Sequence, residues 1–267
     1  MTELRHGELT YALRGLIFET QDKLKPGWSE EIYHRGLLQT IQQNNLQVQS
    51  KLRSTIVHRG VAVHTFECDL LVGDRVILEL KALPFTNFAP AHYTQLISYL
   101  KCWHKDLGLL VNFGSVRPQI ERIVWDEPQW VLHEDYDAIQ DNLAKDDEVY
   151  LDQIKQGIVM MGQQYGLGYP DTLYRKILAI ELTHSGMPCQ SDVTVRAELN
   201  GKILGNDPSD HLLVADRYLL NIRALLAYPS KYEFARTKNF LNRMGLQLGL
   251  IVNFGKKHLQ IFAVNPD

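Results

Sequence analysis

The sequence predicts an α/β protein made of two tandem domains, each a mixed β-sheet flanked by α-helices. Three observations carry that prediction. LGLLVNFG, residues 107–114, returns as LGLIVNFG, residues 248–255, with seven of eight positions identical at a separation of 141 residues. GWSEEIY (27–33) falls on GYPDTLY (168–174) at the same offset, so that Gly, an acid and Tyr coincide. With one residue inserted, VGDRVILELKAL (72–83) falls on VADRYLLNIRAL (214–225), six of twelve positions being identical. Three collinear matches at a nearly constant offset mark a duplication, and a period this long leaves each copy its own core. The expected organisation is a first domain at 1–125, an acidic connector at 126–148 and a second domain at 149–267.

In the first copy, Leu9, Leu13, Leu16 and Ile17 recur at helical spacing between Leu4 and Asp22. Beyond Pro26-Gly27 a second helix is expected. Ser29 stands at its N-cap, Glu30 and Glu31 favour its first turn, and Ile32, Leu37, Leu38 and Ile41 form its apolar stripe before Asn44-Asn45 ends it. The period then changes to that of strands: STIVHRG, VAVHTFECDLLV and RVILELKAL, with Gly73-Asp74 as the tight turn between the last two. HYTQLISYLKCW is a crossover helix feeding the LGLLVNFG strand. The order α, α, β, β, β, α, β specifies a mixed sheet with helices on it.

Composition bounds the function. The hydrophobic share, 45%, is ample for buried cores, and neither a signal-peptide layout nor a membrane-length apolar run is present, so a soluble, cytoplasmic protein is expected. Cys68, Cys102 and Cys189 have neither the number nor the spacing of a disulfide framework or zinc site and read as small buried thiols. The net charge of −3 is uneven: residues 126–148 hold nine acids and one lysine. Residues 1–125 carry 14 Lys/Arg against 12 Asp/Glu, and residues 149–267 carry 13 against 10. Mildly basic flanks permit a local nucleic-acid patch without requiring one.

The chemistry is concentrated in ECDLLVGDRVILELKAL. On a strand, Glu79 and Lys81 share a face while Leu78 and Leu80 take the other, and folding about Gly73-Asp74 brings Asp69 toward Glu79. Two carboxylates suit Mg2+, with Mn2+ as a substitute, because magnesium keeps several waters and takes one or two protein carboxylates. Such a cation acidifies an attacking water and offsets charge on a scissile phosphate, and Lys81 adds a second positive charge. An ExK pair on an amphipathic strand is commonly a solvated salt-bridge face. Here VILEL is apolar enough for a central strand, where two ionisable groups require a reason.

Asp69 with Glu79-Leu80-Lys81 resembles the core of the PD-(D/E)XK nuclease superfamily. GWSEEIY, with Gly27, Glu30 and Tyr33, is similar to the signature of its GxxExxY branch, and the resemblance runs on through HYTQLISYL and LGLLVNFG. It implies two restriction-endonuclease-like domains, with Asp69 and Glu79 as metal ligands, Lys81 as the catalytic lysine, Glu30 as an extra acid and Gln95 as the helix glutamine of the site. Of the neighbouring groups, His92 reads as a surface or capping residue. Trp28, Tyr33, Trp103 and Trp125 are of a kind that stacks on bases, but such residues more often pack in cores and rims.

The second copy keeps the scaffold and changes the chemistry. Asn221 replaces Glu79, Arg223 replaces Lys81, Arg236 stands opposite Gln95 and Asp171 opposite Glu30, while either Asp210 or His211 corresponds to Asp69. Asn is a weaker magnesium ligand, and Arg is not a compact ammonium. Arg223, Arg236, Lys238 and Arg243 fall on or near the face equivalent to the active one, where they would add phosphate contacts or be solvated. The sequence therefore points to a Mg2+-dependent phosphodiesterase, a nuclease acting on DNA or RNA through the N-terminal domain, with an inactive C-terminal copy. The competing reading is a non-catalytic nucleic-acid-binding or assembly protein on the same fold.

Overall fold

In the computed structural model, which describes residues 4–85, 87–139 and 145–266, two helices lead the first sheet. Helix α1 (Gly7–Leu24) and α2 (Glu30–Gln43) meet the sheet through Leu13, Ile17, Leu37 and Ile41, all buried. Ser29 occupies the N-cap position of α2, yet its hydroxyl makes no capping hydrogen bond; the orphan N–H of Ile32 reaches the Ser29 carbonyl, which also accepts the first full helical bond, from Tyr33 N–H. Asn45, left-handed at φ 56°, turns the chain out of α2.

Strands β1 (Val48–His58), β2 (Val61–Val72), β3 (Val76–Lys81), β4 (Leu107–Asn112) and β5 (Gln119–Val124) form one sheet in that order. β2 and β3 are antiparallel about a turn whose two central residues, Gly73 and Asp74, both have positive φ, as a tight hairpin of this hand requires. β3 and β4 are parallel, joined by the crossover helix α3 (Pro90–Cys102). β5, antiparallel to β4, extends the sheet past the last strand that the sequence pattern marks. Along β3, Val76, Leu78 and Leu80 belong to the core shared with α1 and α2, so Glu79 and Lys81 lie on the opposite face of the strand.

The second unit repeats the plan with α4 (Lys145–Tyr165), α5 (Asp171–His184), β10 (Leu212–Val214), β11 (Tyr218–Arg223), α6 (Lys231–Met244), β12 (Leu248–Phe254) and β13 (His258–Val264). Its sheet runs β6-β13-β12-β11-β10-β7, with β6 at Val131–Asp135 and β7 at Cys189–Gln190; β8 (Thr194–Leu199) and β9 (Lys202–Pro208) form a separate two-stranded ribbon. The compact units are Met1–Ile56 with His64–Glu127, and Val57–Val63 with Pro128–Asp267. The stretch expected as a connector thus holds a strand: residues 131–135 pair in parallel with β13, and α4 begins at Lys145. Residues 140–144 of that stretch lie outside the described residues. Among the described residues, no helix is long and apolar enough to cross a membrane.

The repeated motifs are scaffold. Tyr33 stacks on Phe113 with centroids 4.8 Å apart, and Tyr174 stacks on Phe254 at 4.0 Å. Each tyrosine hydroxyl donates to a backbone carbonyl eight or so residues upstream, Lys25 in one copy and Gly166 in the other, both at 2.7 Å. Asn112 and Asn253 clamp the loop that follows the motif strand: Asn112 Oδ1 accepts from Leu83 N and Asn253 Oδ1 from Leu225 N. Gly114 follows because a Cβ there would sit 2.1 Å from the Leu83 carbonyl oxygen.

Candidate active site

Run one step beyond its last pair, Leu70 with Leu78, the β2–β3 register sets Asp69 opposite Glu79. Both are buried, as is Lys81. Asp69 Oδ2 accepts the Leu80 N–H at 2.9 Å, which fixes the rotamer of the carboxylate at the point where the ladder ends. Glu79 Oε1 accepts from Lys81 Nζ at 2.5 Å. Burial pushes the Glu79 carboxyl up to about 8; the Asp69 charge adds to the rise and Lys81 opposes it.

Glu30, the first residue of α2, is half-buried, and burial raises its carboxyl as well; Lys81 opposes that rise and Asp69 adds to it. Glu30 therefore shares an electrostatic environment with the β2–β3 groups. Gln95 lies on α3 and donates its amide to the Tyr99 hydroxyl at 2.7 Å. Burial raises the pKa of that hydroxyl, and the Glu79 charge adds to the rise. His92 caps its own helix, its Nδ1 accepting from Ala89 N at 3.1 Å. Trp28 is exposed, Tyr33 is core, and Cys68, beside Asp69, is buried with its thiol pushed up to about 12 by desolvation.

Two groups are not legible in the sequence motif. Lys51 on β1 places Nζ 2.6 Å from Asp69 Oδ1. His34, one turn beyond Glu30 on α2, is buried, with Nε2 3.2 Å from the Asp69 carbonyl and 3.1 Å from Ser50 Oγ. For His34, the spacing i, i+4 from Glu30 is the signal that marks a shared helix face.

The donor set fits a hydrated divalent cation. Asp69 and Glu79 are two carboxylates in a low-dielectric place, each already matched by a lysine ammonium. Among the described residues no group of three or more His, Cys, Asp or Glu side chains converges as a metal cage. Magnesium does not need one, since it is held by one or two carboxylates and completes its octahedron with water.

In the second unit the β10–β11 register, Leu212 with Leu220, sets His211 opposite Asn221. His211 is thus the strand counterpart of Asp69, fully buried, while Asp210 is its counterpart in charge. Arg223 Nη1 lies 2.6 Å from Asp210 Oδ2 and 3.8 Å from Asp171 Oδ2, and Arg223 Nε lies 2.9 Å from Glu233 Oε2. Arg236 Nη1 is 2.6 Å from Asp210 Oδ1. Asn221 donates to Glu233 Oε2 and to Thr237 Oγ1. Both the Arg223 and the Arg236 guanidinium groups are matched by carboxylates of their own unit. A hydrogen bond with His211, then Arg236 and Arg223, hold Asp210 below the usual carboxylate range against the effect of burial.

A family model described as the PD-(D/E)XK nuclease superfamily matches residues 7–123 and again residues 148–262. The chain belongs to the PD-(D/E)XK nuclease superfamily. Both copies of this superfamily member carry the fold, and they differ in the groups at the nuclease motif. No curated protein matches the chain. Among solved structures it is similar to the crystal structure of SSO0001, at 22% identity over 36% of this chain and 51% of that one, with a TM-score of 0.31. It is also similar to an alkaline exonuclease, LHK-Exo, from Laribacter hongkongensis, at 15% identity over 61% of this chain and 87% of that one, with a TM-score of 0.28. The chain spans about half the length of the first of these. At such TM-scores neither bears on activity or substrate.

Proposed function

We propose that the first unit is a divalent-metal-dependent nuclease that hydrolyses phosphodiester bonds, and that the second is a copy without metal chemistry. The observation that carries this reading is the buried Asp69, Glu79 and Lys81 cluster at the β2–β3 end, where Asp69 stands opposite Glu79 and Glu79 Oε1 accepts from Lys81 Nζ. Two carboxyl groups this buried and this close repel when both are charged, and a divalent cation held between them would relieve that repulsion.

Asp69 and Glu79 would hold the ion, Mg2+ or Mn2+, which would supply an activated water and offset phosphate charge. Lys81, drawn against Glu79, sets a compact positive charge where negative charge grows as water adds to phosphorus and the P–O bond to the leaving nucleotide breaks. Glu30 reaches the same environment from α2 and orients the water-bearing side of the site, and Gln95 holds the Tyr99 hydroxyl in place from α3. Nucleic acid is the substrate class of the reading, with DNA and RNA both admitted.

In the second unit, Arg223 bridges Asp210, Asp171 and Glu233, which supports a bracing or assembly role there, a cation being built into the chain itself. The test is cleavage of a panel of single- and double-stranded DNA and RNA with Mg2+, Mn2+ or chelator. Metal-dependent cleavage by the wild type that is lost in Glu79→Gln supports the reading; cleavage that survives in Glu79→Gln sinks the site, and cleavage of no substrate favours the non-catalytic reading.

A further inference from the structure

We propose that Lys51 is a substrate-positioning residue of the first unit: it holds Asp69 Oδ1 while metal is absent, and turns onto a backbone phosphate of the nucleic acid when a divalent cation takes that oxygen. The inference rests on the nuclease reading above.

Asp69 has two oxygens, and Oδ2 is bound to the Leu80 N–H inside the sheet. A cation approaching Asp69 therefore meets Oδ1, where Lys51 Nζ already stands at 2.6 Å. Two cations on one oxygen repel, and the ammonium on its four-carbon stem is the one free to move. Exposure marks the direction of that movement. The Lys51 side chain is 39% exposed while that of Asp69 is 9% exposed, so the ammonium reaches in from the solvent side. Lys81 is enclosed beside Glu79, at 11% exposure, and has no such path.

The backbone is built for the reach. Lys51 has φ 51° in the middle of β1, a left-handed conformation that a non-glycine residue adopts at a cost. Around it the strand's burial alternation fails, residues 49–51 all being exposed before alternation resumes at Leu52. Strained positions of this kind gather at functional sites.

The duplication supplies an independent comparison. Val48-Gln49-Ser50-Lys51 aligns with Cys189-Gln190-Ser191-Asp192 at the offset of 141, so the glutamine and serine persist while the charge is reversed. Lys51 therefore changes along with Glu79 and Lys81, as a residue of the chemistry does, and unlike Tyr33, Asn112 and Phe113.

The experiment uses the full chain as wild type, Lys51→Met and Lys51→Arg, with folding checked by thermal denaturation. Mn2+ binding is measured without nucleic acid, and binding of a labelled oligonucleotide is measured in Ca2+ over a range of salt. Lys51→Met is expected to bind Mn2+ more tightly than wild type, because the competing ammonium is gone. The same variant should bind the oligonucleotide roughly tenfold more weakly, with a salt slope lower by about one. Lys51→Arg should retain most of the oligonucleotide affinity. Unchanged oligonucleotide binding in Lys51→Met, or weaker Mn2+ binding, overturns the proposal and leaves Lys51 as a brace for Asp69. Wild type that binds the oligonucleotide but never cleaves in Mg2+ or Mn2+ defeats the nuclease reading instead, while the binding arms still decide the role of Lys51. Wild type that does not bind at all overturns both.

Discussion

Arg223 Nη1 stands 2.6 Å from Asp210 Oδ2 in the second unit, whereas in the first unit the residue at the same strand position, Lys81, is drawn 2.5 Å from Glu79 and leaves Asp69 to Lys51. With that change of cation come Asn221 for Glu79 and Arg236 for Gln95, and together they separate a closed charge network from an open one. Arg223→Met is expected to destabilise the second unit, because Glu233 and Asp210 lose a partner in a largely buried place. The loss should be about 2 kcal/mol, less than for a fully enclosed pair because Asp210 stays about one-third exposed. Thermal denaturation of the full chain checks this, and an unchanged melting profile would show the network to be solvated decoration.

The two sites should respond to pH in opposite directions. Burial pushes the Glu79 carboxyl up to about 8 in the folded protein, above the ordinary glutamate range. The folded state thus keeps a proton that the unfolded chain has released, so the stabilisation from Glu79 is complete below the unfolded value and is lost as pH rises through about 8. Divalent metal competes with that proton, so affinity for Mn2+ should rise with pH across the same window. Asp210 is depressed, so its contribution is present above the unfolded carboxylate pKa and lost as pH falls through the folded one. Melting of the chelator-treated chain against pH, in wild type, Glu79→Gln and Asp210→Asn, separates the two. A Glu79→Gln profile identical to wild type from mildly acidic pH up to about 8 would contradict the assignment.

The scaffold residues should behave as scaffold. Tyr33→Phe keeps the stack on Phe113 and loses the hydrogen bond to the Lys25 carbonyl, for a cost of about 1 kcal/mol. Gly114→Ala forces a methyl to 2.1 Å from the Leu83 carbonyl oxygen and should cost more, about 3 kcal/mol or upward, because backbone must move. Denaturant titration measures both. A Gly114→Ala chain as stable as wild type would show that the loop is not fixed by this approach.

Much of this was legible because it is local. The Gly73-Asp74 turn, the apolar and ionic faces of VILELK and the crossover helix follow from period and turn chemistry within short windows, and the superfamily match at both copies agrees with the duplication read from LGLLVNFG and its repeat. What escaped depends on register or on partners distant in sequence. Lys51 reaches Asp69 through a left-handed residue that breaks strand alternation, and no periodicity announces it. Asp210 and His211 divide the role of Asp69, one by charge and one by strand position, a distinction set by the Leu212–Leu220 register. β6 lies among acids because only alternate residues of VLHED are half-buried, which leaves an alternation too short to read against the surrounding charge.

On the proposed function, the Asp69, Glu79 and Lys81 cluster cuts phosphodiester bonds with a divalent ion while the arginine-filled copy does not. The most direct measurement is cleavage of the DNA and RNA panel by the full chain, with Mg2+ or Mn2+, in four forms: wild type, Glu79→Gln, Lys81→Met and Arg223→Met. Metal-dependent cleavage is expected from wild type and from Arg223→Met, with losses of at least about 100-fold in Glu79→Gln and Lys81→Met. Cleavage that persists in Glu79→Gln and Lys81→Met but disappears in Arg223→Met would contradict it.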